Sequence, residues 1–346
     1  LQKIRVLVVD DSALMRRIIS DMINEEYDME VVDVARNGEE LLNKVEKLNP
    51  QVITLDVEMP KVNGVTALKE LKKRNLNIPV IMLSSLTKEG TFVTMECLEA
   101  GAFEFISKPS GSISLDINKV KNELVEKIRQ GAKKGKRDSV DINHRNLAPV
   151  LRKKDMNYNI EAMVIGASTG GPRALTTLIT NLPKNLGFPI LVVQHMPVGF
   201  THAFSERLNT NSKVTVVEAE DNMVIEKDTV YIAKGGFHME VTRDKKIRLT
   251  EEPPIFGVRP CVDKLFISAS KVYKGRLMSI VLTGMGRDGA NGSAEVKALG
   301  GTTISEHEST CTIYGMPKAA FETGKIDEVL PLGQILSKII KCSMYK

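Results

Sequence analysis

The chain has 346 residues, 42% of them hydrophobic and 26% charged, with a formal net charge of +5 at neutral pH. That length exceeds one typical core and favours two domains, and the composition is that of a globular protein rather than a disordered or fibrous one. The small positive excess does not by itself argue for nucleic acid, no apolar stretch approaches the roughly 18 residues of a membrane span, and Cys97, Cys261, Cys311 and Cys342 show neither zinc-knuckle spacing nor a disulfide framework.

With no signal-peptide layout at the N-terminus, a cytoplasmic protein with reduced thiols is expected. Residues 1–128 alternate strand and helix patterns. Ile4–Val9 is a short β-branched run that stops at Asp10 and Asp11; Ser12 then stands at an N-cap position before the amphipathic stretch A-L-M-R-R-I-I-S-D-M-I. Further strands are predicted at 30–35, 51–55, 79–83 and 102–106, with helices over about 38–48, 65–74, 89–100 and 117–130. Single helices between strands demand right-handed crossovers. This half is therefore read as a five-stranded, doubly wound parallel sheet covered on both faces.

Ligands of such sheets bind beyond the carboxyl ends of the strands. There the sequence places Asp10 and Asp11 after the first strand, Asp56 after the third, Ser84 after the fourth and Lys108 after the fifth. Any single acid reads most simply as a cap or turn residue. Three acids converging on one rim repel one another, and an all-oxygen shell of that kind suits Mg²⁺.

The runs V-V-D-D-S, L-D-V-E-M-P, M-L-S-S and F-I-S-K-P, spread over about residues 1–125, resemble the receiver domain of two-component response regulators. The resemblance implies that Asp56 accepts a phosphoryl group from a histidine kinase and that Asp10, Asp11 and Asp56 hold Mg²⁺. It further implies that Ser84 and Lys108 contact the phosphoryl oxygens and that Phe105 is an aromatic switch.

Residues 129–157 are read as a basic linker: between Lys133 and Lys154 eight basic residues face two acidic ones, without an apolar period. From residue 158 the alternation resumes as a second, larger α/β domain, 158–346. Strands are predicted near 161–165, 189–193, 214–217, 229–233, 238–242, 248–249, 277–282 and 302–304, with helices near 174–182, 199–208, 262–274 and 289–299. The nearness of V-Y-I-A (230–233) to H-M-E-V-T (238–242) predicts that these two pair as a hairpin beside a mostly parallel sheet.

Three residues pass the strand-end test here: Ser168 after V-I-G-A, His195 after I-L-V-V-Q and Asp288 after I-V-L-T-G-M-G-R. A hydroxyl, an imidazole and a carboxylate at the ends of parallel strands are the parts of an acyl-transfer site. The run G-A-S-T-G satisfies G-x-S-x-G, but the chain order Ser, His, Asp departs from that of the α/β-hydrolases. The same turn, with Gly166, Gly170 and Gly171 between strand and helix, also reads as an anion-binding loop. A dinucleotide site wants an acid about 20 residues further on; His195 in that place favours catalysis. His144 and His202 read as ordinary polar groups, whereas His238 and His307 adjoin turn-rich segments that can line the site. The loop around Met285 leads into Asp288 and is suited to presenting N–H groups to an oxyanion.

Together G-A-S-T-G-G-P, V-V-Q-H-M-P, V-R-P-C-V-D, L-T-G-M-G-R-D-G-A and Y-G-M-P-K-A-A resemble the catalytic domain of the chemotaxis methylesterase family CheB, in which a receiver also comes first. The resemblance implies hydrolysis of glutamate γ-methyl esters, and deamidation of selected glutamines, on chemoreceptors, with Ser168, His195 and Asp288 as the triad. Thr169 and Met285 match positions near the oxyanion hole, and Lys234 stands where many members have proline. The implied partners are the chemoreceptors and the histidine kinase CheA, at membrane receptor arrays without membrane insertion, and the implied cofactor is Mg²⁺ in the receiver alone. Arg259 is a weaker candidate for touching receptor acids. The domain order suggests that the receiver limits access to the triad until Asp56 is phosphorylated. A DNA-binding output is disfavoured by the size of the second half and its lack of a basic recognition helix. A non-catalytic scaffold leaves the three strand-end residues unexplained.

Overall fold

The apolar runs and amphipathic stretches of the first half become, in chain order, β1 (Ile4–Val9), α1 (Ala13–Asn24), β2 (Met29–Ala35), α2 (Gly38–Leu48), β3 (Val52–Asp56), α3 (Gly64–Lys73), β4 (Val80–Ser84), α4 (Lys88–Glu99), β5 (Glu104–Ser107) and α5 (Leu115–Val140). The structure is a computed structural model that describes residues 3–108, 115–140, 150–151 and 159–344. Two compact units, Leu1–Arg145 and Asn146–Lys346, divide the chain. In the first, five parallel strands run in the order β2-β1-β3-β4-β5. β3 and β4 are buried at every residue, which is why they read as continuous apolar runs. Ser12, Asn37, Asn63 and Thr87 each accept the amide three residues on, so four of the helices start immediately after the strand-end loops.

α5 departs from expectation by continuing past Gln130 to Val140, into the stretch read as linker. Its apolar period is hidden because small residues make the contact: a Cβ on Gly131 or Gly135 would stand 3.2 or 3.5 Å from Pro79, and Ala132 is buried. Residues 141–149 and 152–158 of the basic stretch lie outside the described residues.

The second unit contains β6 (Val150–Leu151), β7 (Ala162–Ala167), α6 (Gly171–Ile179), β8 (Ile190–Gln194), α7 (Phe200–Asn211), β9 (Thr215–Glu218), β10 (Thr229–Ile232), β11 (His238–Val241), β12 (Ile247–Thr250), α8 (Val262–Tyr273), β13 (Leu277–Val281), α9 (Ala290–Ala298), β14 (Thr302–Glu306), α10 (Met316–Glu322), β15 (Glu328–Leu330) and α11 (Leu332–Ser343). Eight strands form one sheet in the order β6-β15-β14-β13-β7-β8-β10-β9, parallel except for the edge strand β6. β7, β8, β13 and β14 are buried throughout.

The hairpin is not the one expected. β10 is flanked in parallel register by β8 and β9, so it offers no free edge to residues 238–241. β11 pairs instead with β12, from His238 opposite Thr250 to Val241 opposite Ile247. The turn closes through Thr242 N to Lys246 O at 2.9 Å and Lys246 N to the Thr242 hydroxyl at 3.0 Å.

Candidate active site

Register places the first two functional groups side by side. β7 and β8 pair up to Ala167 opposite Gln194, so Ser168 and His195 are the next residues on neighbouring strands. β13 flanks β7 on its other side, and the loop beyond it carries Asp288. His195 Nε2 lies 2.8 Å from Asp288 Oδ2. Among the described residues Ser168 Oγ forms no hydrogen bond with His195, and the ring nitrogen not engaged with Asp288 is Nδ1.

Asp288 is buried, and its carboxylate also accepts the amides of Val262 (2.7 Å) and Asp263 (2.8 Å) and the Cys261 thiol (3.1 Å). Burial pushes its pKa up; the hydrogen bond and charge of His195, with the two amides, outweigh that and hold it below the ordinary carboxylate value. An ionised Asp288 only accepts, so His195 Nε2 donates to it, and in the neutral ring Nδ1 keeps the lone pair. The Cys261 thiol, pushed up first by burial and then by the Asp288 charge, stays protonated and donates.

The Ser168 turn is fixed by its backbone. Its amide donates to Thr283 O (3.0 Å), and its carbonyl accepts Gly171 N (2.7 Å) and Gln194 Nε2 (3.0 Å). Gln194 Nε2 also reaches His195 O at 3.1 Å, so one side chain ties the backbone of Ser168 to that of His195. Gly170 caps α6 at φ +77°, a left-handed conformation that glycine adopts without strain. The backbone carbonyl of Thr169 accepts the Thr283 hydroxyl at 2.9 Å, while Thr283 N donates to Glu306 Oε2 at 2.8 Å. Glu306 is fully buried, and burial pushes its pKa up. Met285 is exposed on the loop between β13 and α9.

Gln194, Thr283 and Glu306 were not singled out in the sequence. A polar residue closing an otherwise apolar strand is the signal for Gln194, and carrying β14 on to its observed end puts Glu306 at a strand end. The other described histidines have partners of their own. His238 is buried with Nε2 on Pro253 O at 3.1 Å, His307 bonds Ser309, and His202 faces Glu206; His144 lies outside the described residues. Arg259 Nη1 donates to the carbonyls of Glu251 (2.6 Å) and Glu252 (3.0 Å).

On the first unit, Asp10, Asp11 and Asp56 bring carboxylate oxygens within 4.8 Å of one another. Lys108 Nζ bridges Asp10 (2.9 Å) and Asp56 (2.8 Å). Burial dominates at Asp56 and pushes its pKa up to about 6 despite the lysine. This oxygen-only donor set with an excess of negative charge fits a hard divalent cation. Ser84 makes its bonds elsewhere, to Gly90 O at 3.2 Å and to the Thr94 hydroxyl at 2.6 Å. Phe105 is buried, with Lys127 Nζ 5.5 Å from its ring centroid.

A family model described as CheB methylesterase matches residues 163–339, and one described as response regulator receiver domain matches residues 6–117. A protein-glutamate methylesterase/protein-glutamine glutaminase of Clostridium acetobutylicum is 52% identical over 99% of this chain and 98% of its own. A relative of the same description from Pyrococcus horikoshii is 46% identical, covering 98% of this chain and 94% of its own. Among solved structures, the Thermotoga maritima CheB methylesterase catalytic domain matches at 45% identity with a TM-score of 0.51, over 53% of this chain and 98% of that one. Among the described residues no helix is long and apolar enough to cross a membrane. End-to-end similarity at this level, with both family models in order, means that the chain belongs to the receiver-linked CheB methylesterase family.

Proposed function

We propose that the chain removes methyl groups from glutamate γ-methyl esters of chemoreceptors, and deamidates selected receptor glutamines, through an acyl-enzyme at Ser168. The observation that carries this reading is the 2.8 Å contact of His195 with a buried, amide-held Asp288, beside Ser168 on the neighbouring strand end. Ser168 Oγ adds to the ester carbonyl as His195 Nδ1 takes its proton; the ester C–O bond breaks and the departing methoxide receives that proton as methanol. Water then gives a proton to the histidine and its hydroxide to the acyl carbon, freeing the glutamate and restoring the serine. A glutamine follows the same route with ammonia leaving. Asp288 stays ionised and stabilises the imidazolium; the Thr169 amide, next to the nucleophile at the start of α6, and the Met285 loop are the candidates for holding the oxyanion.

The receiver rim controls this activity in the proposed scheme. Asp56 accepts a phosphoryl group from the chemotaxis kinase CheA, Lys108 and Ser84 contact the phosphoryl oxygens, and Asp10, Asp11 and Asp56 are the residues that would hold Mg²⁺. The cation, when bound, supplies charge neutralisation among the acids and the phosphoryl oxygens. Ser84 must then turn from Gly90 towards Asp56, and Phe105 is the aromatic whose packing would follow.

Methanol release from methyl-labelled receptor membranes, with and without a small phosphodonor and Mg²⁺, tests both parts. Wild-type chain is expected to release label, faster with the phosphodonor, and Ser168→Ala is expected to release none while keeping its fold. Release by the Ser168→Ala chain would place the nucleophile elsewhere, and an unchanged wild-type rate with phosphodonor would remove the receiver from control.

A further inference from the structure

Asp263 is buried at the start of α8 and has no part in the chemistry just described. Its surroundings tie it to Asp288 in a closed ring. The amides of Val262 and Asp263, at the N-terminus of α8, donate to the Asp288 carboxylate at 2.7 and 2.8 Å. In return Asp263 Oδ1 accepts the amides of Gly289 (3.0 Å) and Gly292 (2.6 Å), at the N-terminus of α9. Neither helix caps itself: the N-cap residues, Cys261 and Gly289, make no side-chain capping bond. Each helix is capped by an acid that the other carries or follows.

This arrangement is costly for a plain helix cap. Burial pushes the Asp263 pKa up, and the Asp288 charge pushes it the same way against the two amides. A neutral serine or asparagine caps a helix about as well without placing a second buried acid beside the first. The connection that carries Asp288 is anchored at its start, where Gly284 N donates to Ile313 O at 3.1 Å, and beyond that it runs through Gly286 and Gly289, both at positive φ. At Gly292 a Cβ would stand 2.6 Å from Phe266 Cβ and 3.1 Å from Asp263 Oδ1, so α8 and α9 cross closely enough for the exchange.

We propose that Asp263 is a positioning residue for the acyl-transfer site: by tying the start of α9 to α8 it fixes the Asp288 carboxylate, and through it the His195 ring. The inference rests on the triad reading above and deepens it. A small displacement of Asp288 tilts the base away from the serine without touching the binding surface, so the cost falls on the chemical step.

Inactivation of the full chain by a serine-reactive fluorophosphonate tests this, because it separates the half-saturating probe concentration from the limiting rate. Asp263→Ala is expected to lower the limiting rate at least thirtyfold with half-saturation within threefold of wild type. Asp263→Asn, which keeps an acceptor oxygen, is expected to stay within fivefold. A folded Asp263→Ala chain with the wild-type limiting rate, or an Asp263→Asn chain as slow as the alanine variant, overturns the proposal. Should Asp263→Ala not fold, Asp263→Ser replaces it; its shorter side chain serves at most one amide, so a tenfold loss is expected and the full rate overturns the proposal. A wild-type chain that takes no label strikes at the nucleophile itself, which tells the two failures apart.

Discussion

Gln194 shows how much of the site depends on one unreactive side chain. Its amide group donates to the carbonyls of Ser168 and His195, joining the two strand ends that must stay in step. Gln194→Leu fills similar space and leaves both carbonyls without that donor, at a cost to stability of about 1–3 kcal/mol. Because misplacement by about 1 Å can cost on the order of a hundredfold in rate, turnover should fall roughly 10- to 100-fold with KM little changed, as steady-state methanol release would measure. Unaltered turnover in the folded variant would show that the strand register alone keeps the groups aligned. At this scale the residues proposed for the triad were legible because a hydroxyl, an imidazole and an acid stand out after apolar runs, whereas Gln194 and Glu306 are the last residues of their strands and show what they hold only when their partners are known.

Among the elements, the strand-to-helix turn after β7 is held from the side by the β13 loop. A Cβ on Gly284 would lie 2.7 Å from Ser168 Cβ and 2.5 Å from Met316 Sδ, closer than real carbons approach. Gly284→Ala should therefore push the Ser168 turn and, if Ser168 is the nucleophile as proposed, cut its fluorophosphonate labelling by at least tenfold, with the far-ultraviolet circular dichroism of the chain retained. Labelling at the wild-type rate would mean that the loop yields instead. The elements up to β14 were largely readable from periodicity, whereas α10, β15 and α11 were not among those expected, and two further departures have physical causes. α5 outran its expected end because glycines lie against Pro79 and leave no apolar period to read. The expected hairpin failed because β10 was already paired on both sides, which is a property of the whole sheet and absent from any local stretch.

For the molecule as a whole, the receiver rim carries a measurable cost. A carboxyl held near 6 rather than near 4 loses about 3 kcal/mol of fold stability once ionised, at about 1.4 kcal/mol for each factor of ten. The sign follows from the raised value: the stability is fully present below pH 4 and is lost as pH rises through 6. Hydrogen exchange of receiver amides in the full chain should therefore speed up between pH 4 and 7 beyond its intrinsic pH dependence. Asp56→Asn should flatten that trend and protect the receiver at pH 7, and Mg²⁺ should protect wild type more than the variant. Equal pH trends in the two proteins would mean that Lys108 already compensates the charge.

By itself the sequence determined the two α/β halves, the strand ends and the residue types that stand there, because burial on both faces writes parallel strands as apolar runs and leaves the polar residues that follow conspicuous. Only the tertiary structure decided that β13, β7 and β8 are neighbours, that His195 turns Nε2 to Asp288, and that Asp263 and Asp288 cap each other's helices. Those facts depend on strand order and on contacts between residues distant along the chain, and local periodicity does not encode either.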